Sequence, residues 1–299
     1  MNVSAAGTVI NHSTLLTADI APGVSEIFVA DPSAFASGDL VLIWHDGGLA
    51  DVTSGDQTAI ALQGSHIGAY ELARVQGVTA STLELAAPML GEFPSTNSQV
   101  VFVPEYASVT VQPGAALVAE PWSPVDRHGG VLALFVRGTL LNSGQLTAAG
   151  RGMAGGELVI DPNSDTGCSD LDEPAANGAA RGEGLDTLGT GSTGRGNLAN
   201  AAGGGVCWGS GGGGGAHAGA GGKGGRTRLS DGGRDVGGLG GASLNVGTAS
   251  ERLLFGGGGG AGHARSGGSS GGAGGGVVFL RAGTLSGAGS IDASGADAV

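Results

Sequence analysis

Gly209-Ser210-Gly211-Gly212-Gly213-Gly214-Gly215-Ala216-His217-Ala218-Gly219-Ala220-Gly221-Gly222-Lys223-Gly224-Gly225-Arg226 is the stretch on which the architecture turns. Taken every third residue, it separates into three phases. Gly209, Gly212, Gly215, Ala218, Gly221 and Gly224 form one, and Ser210, Gly213, Ala216, Gly219, Gly222 and Gly225 form another. The third holds Gly211, Gly214, His217, Ala220, Lys223 and Arg226, so the larger polar side chains share one face and two faces are nearly bare. A polyproline-II-type helix has three residues per turn and no internal hydrogen bonds. When buried, its N–H and C=O groups must find partners on neighbouring chains. Glycine permits that approach because it has no Cβ.

A flexible linker is the competing reading of such a tract. A second tract argues against it: in residues 256–276, Gly256, Gly259, Gly262, Arg265, Gly268, Gly271 and Gly274 fall in one phase. The two tracts also share wording. Glycines 211–215 precede Ala216-His217-Ala218, and glycines 256–260 precede Ala261-Gly262-His263-Ala264.

An internal repeat frames these tracts. Residues 130–150 carry an apolar run followed by Gly138-Thr139-Leu140, then Gly144, Leu146, Ala148 and Gly150. Residues 276–295 repeat it with Gly283-Thr284-Leu285, then Gly289, Ile291, Ala293 and Gly295. Repeats signal stacked units. Pairing the two cassettes would anchor the glycine-rich middle at both ends and offset the entropic cost of ordering it.

Ahead of the cassettes the chain reads as short strands with turn punctuation. Glu26-Ile27-Phe28-Val29 precedes the turn former Asp31-Pro32, and Gly38-Asp39 leads into Leu40-Val41-Leu42-Ile43-Trp44. Strand patterns also cover residues 71–75, 82–85, 100–103 and 108–111. The expected fold is all-β: a small barrel or sandwich-like region over 1–125, then a polyproline-II/polyglycine-II helix bundle over 126–299 framed by the cassettes, with no substantial α-helix. Residues 151–202 and 226–251 read as polar connecting loops.

Composition narrows the function. The 299 residues include 65 Gly, with 13% charged and 4% aromatic residues, and the formal charge is −13. Phosphate binding needs basic clusters, so nucleic acid is not an expected partner. No apolar run is long enough to span a membrane. The opening Met1-Asn2-Val3-Ser4 has no basic and apolar leader pattern, so no export signal is expected within this chain. Cys168 and Cys207 are either one bridge in an oxidising compartment or two thiols.

Candidate chemistry is sparse. Asp161, Asn163 and Asp165, with Asp170 and Asp172 beyond, resemble the oxygen-rich start of a calcium loop, and calcium is the one cofactor considered. An EF-hand loop wants Gly at its sixth position and Glu at its twelfth, where Thr166 and Asp172 stand. A solvated acidic loop is the plainer alternative. Gly189, Gly191 and Gly194 spell a dinucleotide fingerprint without the strand and helix it needs, and Lys223 lacks the following Ser or Thr of a P-loop. His217 and His263 occupy equivalent places in the two tracts, as facing metal ligands or as polar residues ending a bare run. No catalytic residue is assigned: Asp172-Glu173 is the nearest thing to a paired carboxylate, on a segment that reads as loop.

Several pieces, in order along the chain, resemble the glycine-rich bacterial surface proteins similar to the adventurous gliding motility proteins of myxobacteria. They are Ala36-Ser37-Gly38-Asp39-Leu40-Val41, Gly129-Gly130-Val131-Leu132-Ala133-Leu134, Arg181-Gly182-Glu183-Gly184, glycines 211–215, and Leu254-Phe255 with glycines 256–260 running into residues 274–280. The resemblance implies an exported or surface-attached, usually non-enzymatic protein with adhesive or motility-linked roles. The expected function is therefore an extracellular structural or adhesive module that presents loops on a rigid scaffold. Its expected partners are a surface glycan, a protein receptor or further copies of itself. The alternatives are a ligand- or ice-binding protein using a flat face of the bundle, where Ser266, Ser269 and Ser270 suit ice better than Lys223 and Arg226 do, and a polysaccharide-acting hydrolase.

Overall fold

The computed structural model describes residues 1–158, 160, 178–186, 192–206, 209–226, 237–245, 252–264 and 266–299. Among the described residues there is no helix, and every regular element is a strand or an isolated bridge.

The first body is a curled antiparallel sheet of six strands. Their order is Ser13–Leu15, Ser98–Phe102, Leu40–His45, Tyr70–Val78, Thr82–Leu85 and Glu26–Phe28. The two outer strands meet through a Leu16–Val29 bridge, which closes the sheet on itself. Alternation explains how one strand serves two cores. Val41 and Ile43 point inward with Ile27, Phe35, Leu83, Met89 and Phe93. Leu40, Leu42 and Trp44 point outward and join a second core. All six residues of Leu40–His45 are buried, which is why Leu40–Trp44 reads as an unbroken apolar run.

The second body is a parallel stack. The cassettes pair in the register that their sequence likeness implies: Val131 opposite Val277, Thr139 opposite Thr284, and Leu146 opposite Ile291. Two more layers lie beneath. Val109–Val111 and Ala116–Val118 pair with the first cassette, and Asn2–Val3 and Thr8 pair with those residues. Strands from both sides of residue 125 thus share one sheet. Leu117, Leu132, Leu134, Leu140 and Leu146 fill its interior.

The third body is the glycine-rich segment. Eight successive amides, from Gly256 to His263, donate to three neighbours in rotation. Gly256, Gly259 and Gly262 donate to the carbonyls of Gly275, Gly272 and Ser269; Gly257, Gly260 and His263 to Ala216, Gly213 and Ser210; Gly258 and Ala261 to Glu183 and Ala180, all at 2.8–3.0 Å. In each series the acceptor number falls by three as the donor number rises by three. The bonding period is therefore three, as a three-residue turn requires, and the falling acceptor numbers show that each of these neighbours runs antiparallel. Spacing this close leaves no room for side chains: a Cβ on Gly258 would lie 1.9 Å from the Ala154 carbonyl oxygen. The phase of His217, Ala220, Lys223 and Arg226 is exposed, whereas Ser210, Gly213 and Ala216 are buried. Ala218 is exposed as well, so enlarging it does not invade the interior.

One expectation needs correcting. Residues 151–202 and 226–251 are not simply connecting loops. Residues 152–156, 179–183, 200–205 and 237–242 are bonded into the glycine lattice. Gly182 and Gly204 lie so close to backbone carbonyls that a Cβ there would sit 2.1 and 2.2 Å from oxygen. The glycine content of those segments is structural.

A central core joins the three bodies. Phe255, next to the second tract, packs edge-on against Trp44 of the curled sheet at 4.8 Å and against Trp122 at 5.1 Å. Val131, Met153, Leu185 and Val277 complete the contact. Fully burying each such side chain contributes about 1.5–3 kcal/mol. Polar ties add to it: the Trp44 indole donates to the Leu253 carbonyl at 2.9 Å, and Asn197 donates to the Asp56 carbonyl at 2.7 Å.

Candidate functional site

A cleft of about 830 Å³ opens at one end of the curled sheet. It lies where the segments before Tyr70–Val78, after Leu40–His45 and before Ser98–Phe102 come together with Arg127. Leu15, Leu49, Ile67 and Pro94 supply apolar wall, and His45, Ser65, His66, Ser95, Thr96, Asn97 and Arg127 supply polar groups. This volume is within the range typical of small-ligand sites.

The walls are held from behind. Leu49 donates to the Leu185 carbonyl at 2.6 Å, which ties the 47–50 segment to the lattice. The Arg252 guanidinium donates to the carbonyls of Ser65 and Ile67 on the opposite wall. Local strain marks the same place. Asn97 and Arg127 adopt left-handed backbone with φ of 65° and 55°, and Gly48, close to the Asn97 side chain, has φ of 93°. Asn tolerates that region through its short polar side chain; arginine has no such ease. Strain of this kind, of order 1–3 kcal/mol per residue, persists only where surrounding structure enforces it, and it concentrates at functional sites.

His45 is fixed by a 2.8 Å hydrogen bond between its Nδ1 and the Ser98 hydroxyl. Burial, with the neighbouring His66 imidazole adding to it, lowers the His45 pKa to about 4, so the ring is neutral at pH 7. The two rings stand edge to face at 6.4 Å.

Behind the cleft are buried carboxyls. Asp46 has no exposed surface, and Gln99 donates to its Oδ2 at 3.0 Å. Burial raises its pKa well above the usual carboxylate range, against the pull of Arg127 and the Gln99 bond. Its Oδ1 is buried without a hydrogen-bond partner among the described residues. Glu183 accepts from the Trp122 indole at 2.7 Å and from the Ala154 amide at 3.0 Å on one oxygen. Burial raises its pKa as well. Neither carboxyl lines the cleft, and among the described residues no Asp or Glu does so.

The residues singled out from sequence lie elsewhere. Asp161, Asn163, Asp165, Asp170 and Asp172 lie outside the described residues, as do Cys168 and Cys207. Among the described residues no group of three His, Cys, Asp or Glu side chains could hold a metal. His217 and His263 do not face each other. Ala216 pairs with Gly257 and Ser210 with His263, so the two histidines stand at opposite ends of antiparallel neighbours, one exposed and one buried. Sequence reasoning did not reach His45, His66, Asn97 or Arg127. The only local signal was Asp46-Gly47-Gly48 closing an apolar strand, a turn cue with no chemistry in it.

No helix of the described residues is long and apolar enough to cross a membrane. No protein-family model matches the chain, and no curated protein matches it at a significant level. Among solved structures, the chain is similar to the tailspike gp61 of Pseudomonas phage phi297, at TM-score 0.25 and 13% identity over 48% of this chain and 21% of that one. It is also similar to the gp54 tailspike of Acinetobacter baumannii bacteriophage AP22, solved in complex with A. baumannii capsular saccharide, at TM-score 0.24 and 13% identity over 46% of this chain and 26% of that one. The tailspike protein gp49 of Pseudomonas phage LKA1 is similar at TM-score 0.23 and 15% identity, over 47% and 24%. The chain thus spans only about a fifth to a quarter of the length of these tailspikes.

Proposed function

We propose that this chain is a non-enzymatic structural and adhesive module of an extracellular or cell-surface assembly, in which a rigid glycine lattice holds a recognition cleft in place. One observation carries the reading: the eight consecutive lattice amides, each bonded to one of three neighbours in rotation. A segment bonded in three directions has little freedom to bend, and elements fixed to it keep their geometry. The cleft is fixed in this way, through Leu49 to Leu185 and through Arg252 to Ser65 and Ile67. Its lining also favours binding over hydrolysis. Glycosidases typically set two carboxyl groups on either side of the scissile bond at a fixed separation. Here Asp46 and Glu183 sit behind the wall, and the cleft offers imidazole, hydroxyl, amide and guanidinium groups instead. The partner in this reading is a surface glycan or a receptor protein, and the resemblance to gliding-motility surface proteins belongs with it.

The purified chain should be retained on a panel of immobilised bacterial surface polysaccharides without releasing reducing ends. Turnover of any of these polysaccharides would overturn the non-enzymatic reading. Failure to be retained on any of them, or on intact bacterial cells, would overturn the adhesive one.

A further inference from the structure

We propose that the cleft beside His45 binds a small hydroxyl-rich ligand carrying one carboxylate, of which a hexuronic acid residue is the simplest form, with Arg127 receiving the carboxylate. The inference rests on the reading of this cleft as the recognition site and names the chemistry it takes.

Among the described residues, Arg127 is the one Lys or Arg side chain in the lining. Its left-handed backbone is held by the turn in which its amide donates to the Ser123 carbonyl at 2.6 Å. Among the described residues it makes no ion pair, and its Nε is buried without a hydrogen-bond partner. A guanidinium is a planar fork of N–H donors matched to a carboxylate, and it stays charged at any working pH. Asp46 and Glu183 act on Arg127 electrostatically from behind the wall without closing an ion pair with it, so in a chain with a formal charge of −13 this arginine offers a specific anion site at the cavity wall, not a general attraction for anions.

The rest of the lining limits what the anion is attached to. The imidazole of His45 is neutral at pH 7 and oriented by Ser98, so it serves as a hydrogen-bond partner and not as a second positive charge. Ser95, Thr96 and Asn97 add hydroxyl and amide groups on one wall, and Ile67 and Leu49 add apolar surface. A pyranose ring has that division, with hydroxyls around its rim and C–H groups on its faces. A second acidic group on the ligand would find no second cation among the lining residues.

The test is calorimetric titration of the intact chain at pH 7 with glucuronate, an oligouronide, glucose and acetate. Saturable binding of glucuronate at least tenfold tighter than glucose or acetate is expected. Tighter binding of the oligouronide would identify the polymer, rather than the free sugar acid, as the source. Arg127→Asn, which suits the left-handed backbone, should weaken glucuronate at least tenfold while leaving glucose unchanged. His66→Ala, a change at the cleft wall distant from the turn, should weaken both sugars. Equal affinity for glucuronate and glucose, no saturable binding, or an Arg127→Asn variant that binds as the parent does would each overturn the inference. Should Arg127→Asn not fold, the comparison of glucuronate with glucose on the parent chain decides. Retention on neutral polysaccharides alone would leave the adhesive reading standing and remove this one, whereas glycan turnover with intact uronate binding would do the reverse.

Discussion

The indole N–H of Trp122 donates to Glu183 Oε2 at 2.7 Å, across 61 positions of sequence, and the Glu183 backbone carbonyl in turn accepts from Gly258 at 2.9 Å. One residue therefore connects the approach to the first cassette with the interior of the glycine lattice. Trp122→Phe preserves most of the contact with Phe255 but leaves the buried carboxylate one donor short. A buried group left without its partner costs about 1–3 kcal/mol, and more when it is charged. Urea unfolding should show a loss of that size. Glu183→Gln combined with Trp122→Phe should lose less than the sum of the two single changes; simple additivity would mean the bond contributes nothing.

The glycines of the lattice are not interchangeable. Gly258→Ala would put a Cβ 1.9 Å from the Ala154 carbonyl oxygen, whereas Gly222→Ala would meet nothing within 4 Å. Overpacking that the backbone must absorb costs about 1–3 kcal/mol or more. Removing glycine where its conformation suits any residue gains about 0.4–1 kcal/mol by restricting the unfolded chain. The first variant should melt at a clearly lower temperature and the second at the same or a slightly higher one. A parent-like melting point for Gly258→Ala would mean that the lattice yields easily.

His45 sets an acid limit. Its folded pKa of about 4 lies below the ordinary value of 6.5, so between these values the unfolded chain binds a proton that the folded chain does not. Stability therefore falls as pH drops through that window. The shift corresponds to roughly 2–3 kcal/mol once partial solvent access is allowed for. Chemical denaturation at pH 7 and pH 4.5 should show the loss, and His45→Gln should lose less over the same interval. An identical pH response in the variant would assign the effect to other groups.

Asp46 acts with the opposite sign. Burial raises its pKa, so above the usual carboxylate range the folded chain keeps a proton that the unfolded chain has released. Its contribution to stability accordingly declines as pH rises. Asp46→Asn keeps an acceptor for Gln99 and has no proton to lose, so its stability should rise relative to the parent from pH 5 to pH 8. A variant that follows the parent across that range would show that Asp46 is not the group responsible.

Hydrogen exchange reports on the lattice directly. The eight amides from Gly256 to His263 all have backbone acceptors, so they should exchange slowly and as a block. Exchange within seconds in native conditions would contradict the bonding described for them.

How much of this was legible in the sequence follows from its physics. The alignment of Gly138-Thr139-Leu140 with Gly283-Thr284-Leu285 predicted the register of the cassettes because parallel stacking sets like residues opposite like: Thr139 does face Thr284, and Leu146 faces Ile291. The strands around Leu40–His45 and Thr82–Leu85 were equally plain, since alternation and turn residues mark them locally. The layers at Asn2–Val3 and Val109–Val111 were not paired in advance. They are too short to betray a repeat, and only stacking relates them. Arg181-Gly182-Glu183-Gly184 reads as solvated because of its charges, yet Arg181 and Glu183 are both buried. The cleft was missed for a different reason: nothing about Arg127 in sequence announces a left-handed backbone, and the residues that meet there come from five separate segments.

The rotation of hydrogen bonds through three neighbours gives the lattice a reading frame of its own. Deleting one or two residues within 256–263 would turn every later amide toward the wrong neighbour, whereas losing three would remove one full turn and keep the direction of the rest. Length in this part of the molecule can therefore change only in triplets, and only if the strands alongside change with it. The hairpins of the curled sheet carry no such constraint, so insertions in natural variants should accumulate there and spare the lattice.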